Sequence, residues 1–230
     1  MTKDSAWDSA TDGARRDGTE LRLERARLAD LPPLASLTGV ERLFLTRTPI
    51  SDLTPLAALT QLRVLGLRLT RADDVSPLAG LTGLESLILS FTPVADVTKL
   101  AGLYRLQSLY LTGSRVTDIA PLAGLVALSR LDLGGTAIAD LRPLAGLTAL
   151  RSLQISGTQV FDLSPIAGLA KLRVLDLGDT AVSDLSPLAG LTELRRLDIR
   201  GTRVTDPTSL SDLPILEVVS ATTFRRRRAS

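Results

Sequence analysis

A strict 22-residue period runs through almost the whole chain, and it limits the folds available more than any other feature. Copies begin at Val40, Leu62, Leu84, Leu106, Leu128, Leu150, Leu172, Leu194 and Leu216, with a looser one from Gly18. Their shared text is L-x-x-L-x-L-x-x-T-x-V-x-D-L-x-P-L-A-G-L-T-x, with no insertion or deletion between copies. A segment this short cannot bury its own apolar face, so it must stack on its neighbours as one coil of an elongated array. The period predicts a repeat domain over 18–221 (ten copies, the last partial), a polar segment or short cap over 1–17, and a basic tail over 222–230.

Each copy carries its own structural instructions. In "LRVLDLGDT" (Leu172 to Thr180), Leu175 and Leu177 alternate with Val174, Asp176 and Gly178, as in a strand with one buried face. Stacking such strands makes a parallel sheet. In "SPLAGL" (Ser186 to Leu191), Ser186 reads as an N-cap and Pro187 as the first helical residue, while Gly190 limits the element to a 3-10 or single helical turn. The expected fold class is an α/β solenoid, with the parallel sheet on one face and short helical turns on the other.

The repeat resembles the leucine-rich repeat, in the 22-residue class of bacterial internalins and a eukaryotic phosphatase-1 regulator. The resemblance covers roughly Gly18 to Ala221. It implies a parallel β-sheet on a concave face, 3-10 turns on the convex face, and recognition of protein partners through concave aromatic residues. The family usually has asparagine at the ninth position, hydrogen-bonded along the stack. This chain has Thr48, Thr70, Thr92, Ser114, Thr136, Thr158, Thr180 and Thr202, whose hydroxyls are expected to form a somewhat different ladder.

Composition removes several chemistries. The chain has no histidine and no cysteine, which excludes Ser-His-Asp and Cys-His catalysis, thiolate metal sites and disulfides. Only Lys3, Lys99 and Lys171 are candidates for a Schiff base. Heavy use of arginine, alanine and leucine points to a bacterial source. No apolar run reaches membrane-spanning length, and the first twenty residues lack the apolar stretch of a signal peptide. A cytoplasmic protein, monomeric in isolation, is expected, with non-classical secretion left open. The formal charge of +2 becomes −2 without Arg225–Arg228, so the body is not basic.

An aspartate recurs at the thirteenth position, from Asp30 and Asp52 through Asp206. A calcium ladder is one reading. The favoured one is that each carboxylate accepts backbone N–H bonds at the turn before the helical element, so neither metal nor cofactor is expected. Both ends of the array need covering. Trp7, Ala10 and Ala14 suit one face of a capping helix. "LEVVSATTF" (Leu216 to Phe224) reads as the last strand, its open edge guarded by the arginine run.

On the predicted concave face, apolar groups gather in the first half and acidic groups in the second. Phe44, Val64, Leu69, Ile88, Phe91 and Tyr110 come from neighbouring copies in a chain with only seven aromatic residues. Arg42, Arg47, Arg68 and Arg71 supply a rim, and an aromatic centre with arginine around it is the composition of a binding hot spot. Asp132, Asp176 and Asp198 follow in the fifth column. The reading is a non-catalytic module that holds a protein partner on its concave face and regulates or neutralises it. The alternatives are nucleic-acid association through the basic tail and, behind it, a carboxylate-based hydrolase.

Overall fold

The computed structural model describes residues 15–23, 39–213 and 216–220. Its strands form one sheet in chain order: β1 (Arg15–Asp17), β2 (Glu20–Arg22), β3 (Arg42–Phe44), β4 (Val64–Gly66), β5 (Ser86–Ile88), β6 (Ser108–Tyr110), β7 (Arg130–Asp132), β8 (Ser152–Gln154), β9 (Val174–Asp176), β10 (Arg196–Asp198) and β11 (Glu217–Val219). The ten strands from β2 to β11 are parallel, as the period requires. The chain is therefore the expected leucine-rich-repeat solenoid, with its sheet on the concave face.

The core is assembled coil by coil. In the copy from Leu128, seven side chains (Leu128, Leu131, Leu133, Ile138, Leu141, Leu144 and Leu147) point inward and are at most 1% exposed. Burying one such side chain stabilises the fold by about 1.5–3 kcal/mol before entropy is counted. The same positions in adjacent coils join into one continuous apolar column.

Two departures occur at the ends. At the start, β1 pairs antiparallel with β2 through the tight turn Gly18–Thr19, and Gly18 supplies the left-handed residue (φ 55°) that such hairpins need. The sheet thus begins three residues ahead of the expected repeat boundary. The capping helix expected from Trp7, Ala10 and Ala14 lies outside the described residues, as does the arginine run.

At the other end the 22-residue register is broken. Every pair from β2 to β10 is offset by 22, as in Glu20 opposite Arg42, but Arg196 lies opposite Glu217, an offset of 21. Glu217 N–H still meets Arg195 C=O in phase, whereas Ile199 N–H reaches Val219 C=O, one residue early. The slip places Val218 opposite Leu197 and against the core, and brings the Glu217 and Arg196 side chains to 3.6 Å. The period that Leu216 keeps in sequence is thus not kept in the strand pairing of this last coil.

The aspartate column caps the 3-10 turns. Asp52, Asp74, Asp96, Asp118, Asp140, Asp162, Asp184 and Asp206 each accept the backbone N–H of the residue two positions on, at 2.7–2.9 Å. Ser186 is consequently the first residue of its turn (Ser186–Leu188) and not the cap, because Asp184 already serves its N–H. Among the described residues no group of three or more acidic side chains could hold a metal ion. Adding calcium or a chelator should therefore leave the melting temperature unchanged, and a calcium-dependent rise of several degrees would overturn the capping role.

These hydrogen bonds have a pH consequence. Donors two residues on hold the carboxyls of Asp52, Asp74, Asp96, Asp140 and Asp162 below their ordinary range, the side chain acting more strongly than the amide. At Asp184 the amide comes first. A folded-state pKa below the unfolded value contributes stability that is present above about pH 4 and is lost as pH falls through the depressed value. Denaturant midpoints should accordingly fall as pH is lowered below about pH 4, and Asp74→Asn with Asp96→Asn should flatten that fall. A drop of unchanged size in the double variant would show that other groups carry it.

The ninth-position hydroxyls do not run along the stack. Seven threonines, from Thr48 to Thr202, donate to the carbonyl three residues back in their own coil, at 2.6–2.8 Å. The preceding residue turns the chain sharply enough that both N–H and Oγ reach the same carbonyl, as Thr136 does at Leu133. Ser114 is the exception: its buried Oγ has no partner.

Candidate functional site on the concave face

In each strand from β2 to β10 the middle residue is buried, so the third and fifth positions flank it on the opposite face. The fifth column reads, in register, Arg22, Phe44, Gly66, Ile88, Tyr110, Asp132, Gln154, Asp176 and Asp198. Phe44, Ile88 and Tyr110 are half-buried. Gly66 interrupts them in sequence but not in space. A Cβ on Gly66 would lie 2.7 Å from Phe44 Cδ1, so the Phe44 ring occupies that place. The guanidinium of Arg22 lies over the ring, 4.3 Å from its centroid.

The eighth position follows a second rule. In every described copy its backbone is left-handed, with φ between 54° and 70°. From Arg47 to Asp179 its N–H donates to the seventh-position carbonyl of the next coil, as Phe91 does to Thr112 at 2.7 Å. Gly113, Gly135, Gly157 and Gly201 take this conformation freely, but Arg47, Leu69, Phe91 and Asp179 take it as well. A side chain there costs about 1–2 kcal/mol, less for aspartate. Leu69→Gly should therefore raise stability by about 1 kcal/mol and the melting temperature by about 2–4 °C. A fall in melting temperature would mean that Leu69 packing outweighs the backbone cost.

Phe91 does not simply project into solvent, as its sequence position suggests. The ring leans across the next coil, where a Cβ on Gly113 would meet its Cδ1 at 2.7 Å. Arg68 covers it at 4.8 Å from the centroid, and the side chain keeps 44% of its surface exposed. Leu69, at 37%, lies one coil before it. Val64 sits in the third column, opposite Arg42 and Ser86.

The expected arginine rim is only partly assembled. Arg42 is paired with Glu20 at 3.1 Å, and Arg47 is exposed at its own left-handed position. Arg71 follows buried Thr70, and its N–H bonds to Ile50 in the coil before, outside the strand face.

The acidic half also differs from expectation. Asp132 and Asp176 accept the N–H of Gly134 and Gly178 at 3.0 and 2.9 Å. Asp198 is 6% exposed and bound by Arg200, whose Nε donates to it at 2.9 Å. That bond to the Arg200 side chain holds the Asp198 carboxyl below its ordinary range. A general acid needs the opposite shift, so this column gives the hydrolase reading no support. Asp198 is thus largely buried, whereas Asp179, absent from the sequence-based site, is exposed.

The sequence reading also missed Tyr104 and Val126. They share one position on the flank in successive coils, where other copies mostly carry threonine, and Tyr104 is 65% exposed. Tyr104 also lines a groove together with Gln61, Arg63 and Arg105.

Neither a protein-family profile nor a curated protein sequence matches the chain. Solved structures do. An internalin (inlF) from Listeria monocytogenes aligns with a TM-score of 0.78 at 36% identity, covering 81% of this chain and 56% of that one. Internalin C2 from the same species gives 0.75 at 39% identity, covering 76% and 78% respectively. A leucine-rich-repeat protein from Leptospira interrogans shares the fold, with a TM-score of 0.81 at 24% identity over 86% and 53%. The chain thus spans little more than half the length of the first internalin and most of the second. Among the described residues no helix is long and apolar enough to cross a membrane. The repeat geometry, together with 39% identity over 78% of internalin C2, shows that the chain belongs to the internalin-type leucine-rich-repeat proteins.

Proposed function

We propose that the chain is a non-catalytic binding module that grips one protein partner on its concave face, centred on Phe44, Leu69, Ile88, Phe91 and Tyr110. Kinship with leucine-rich-repeat proteins supports an interaction module in general. The observation that carries the particular site is the ridge Arg47–Leu69–Phe91. Three successive coils spend left-handed backbone on large side chains where four of the other five described coils use glycine. Strain kept at a surface position, where Phe91 gains only Gly113 and the Arg68 guanidinium as packing, marks a place where the side chain serves contact. Val64 and the arginines Arg42 and Arg68 border this centre. Asp132 and Asp176 extend the same face toward the far half, and the partner's identity decides whether binding regulates or neutralises it.

Photo-crosslinking from the sheet face tests this. A crosslinker at Ile88 should capture the partner from source-cell extract, whereas one at exposed Ala79, on the turn at the opposite side of the coil, should not. Capture from Ala79 alone would place the binding surface on the convex side.

A further inference from the structure

Beyond Phe91, the eighth column becomes bare. Gly113 lies under the Phe91 ring, and then Gly135 and Gly157 have only the backbone of the preceding glycine beside the place a Cβ would occupy. The neighbouring seventh position is equally small, with Gly134, Ser156 and Gly178. The side chains return at Asp179, whose carboxylate leans over Gly201 as Phe91 leans over Gly113. The result is a trough floored by backbone, with an aromatic ring at one end and a carboxylate at the other. Glycine rows of this kind let a ligand approach the main chain closely.

The two ends are chemically unlike. Phe91, with Leu69 behind it, offers an apolar surface, and Arg68 and Arg47 add positive charge there. Asp179 brings negative charge, reinforced by Asp176 in the fifth column. Four strand spacings separate the coils of Phe91 and Asp179, about 19 Å along the stack.

Resting on the concave-face reading above, we infer that the trough receives a single segment of the partner carrying an apolar side chain and a lysine or arginine about 19 Å apart. The apolar group seats on Phe91 and the cation pairs with Asp179, while the segment's backbone crosses Gly135 and Gly157. A carboxylate just beyond the apolar group would face Arg47 and Arg68. Spacing and polarity together reject a segment of the same composition with its cation adjacent to its apolar anchor.

Two synthetic peptides of equal composition test this by fluorescence anisotropy against the full chain. In an extended segment, about 3.3 Å per residue places the two groups about six residues apart, on the same face, in the first peptide; in the second they are adjacent. The first should bind at least tenfold more tightly. Asp179→Asn should weaken it several-fold, with the loss shrinking at high salt. Gly135→Asn with Gly157→Asn should weaken it at least tenfold, because asparagine tolerates the left-handed backbone while filling the floor. Circular dichroism on that variant separates blockage from misfolding, and Gly157→Asn alone serves if the double variant does not fold. Equal binding of the two peptides, no binding of either, or full affinity of the filled trough overturns the inference. If the filled trough binds normally yet Phe91→Ala abolishes binding, the concave-face reading stands without the trough. If Phe91→Ala is also silent, both fall.

Discussion

Replacing Leu133 with alanine should cost about 2–5 kcal/mol of stability and loosen the middle of the array before its ends. Leu133 is fully buried in the coil of β7. Its N–H donates to Gln154 in the next coil, and its carbonyl receives both donors of Thr136. The cavity left by the lost side chain opens onto the equivalent residues Leu111 and Ile155, one coil to either side. Stability in such an array is close to a sum of coil and nearest-interface terms, so the damage should decay with distance. Hydrogen exchange reads this directly: amides of β6 to β8 should lose the most protection, and those of β3 and β10 the least. Uniform loss across the sheet would show that the array unfolds as one cooperative block.

The solenoid was legible because each of its requirements is local and repeated. Leucine at the fourth and sixth positions, Pro-Leu at the turn and aspartate before it appear copy after copy, so chance coincidence is negligible. What the period could not show is how one coil leans on the next. Phe91 reads as a side chain aimed at solvent, and only the left-handed backbone and the open space at Gly113 reveal that it lies across its neighbour. A signal was present, since Gly113, Gly135, Gly157 and Gly201 share its column, and a glycine column often marks positive φ. The ninth-column threonines misled for a related reason: a hydroxyl suits a ladder along the stack or a bond to its own coil, and the sharp turn before it selects the second. The burial of Asp198 under Arg200 escaped because Arg200 is a local substitution that no other described copy repeats beside an aspartate. The slip at β11 escaped because Leu216 keeps the period in sequence while the strand after it does not.

The second large effect concerns binding. Phe91→Ala and Tyr110→Ala should each weaken the partner by about 2 kcal/mol or more, a loss of about thirtyfold or greater apiece. Folding should suffer far less. Phe91 retains much of its exposure, Tyr110 is half-buried, and neither belongs to the continuous core. A cost of about 1 kcal/mol is expected from Phe91, for its contact with Gly113 and the Arg68 guanidinium above it. Ile88, in the same coil as Phe91 and opposite Tyr110 in register, should behave similarly but more weakly, since its apolar area is smaller.

The most direct measurement is the affinity of the crosslinked partner for three folded proteins: the unaltered chain, the Phe91→Ala/Tyr110→Ala double variant, and Asp176→Ala. The double variant should lose most of the affinity while keeping its circular dichroism spectrum. Asp176→Ala should chiefly alter the association rate and its salt dependence. Full affinity in the double variant, with binding destroyed by Asp176→Ala, would contradict the account and move the site to the far half of the array.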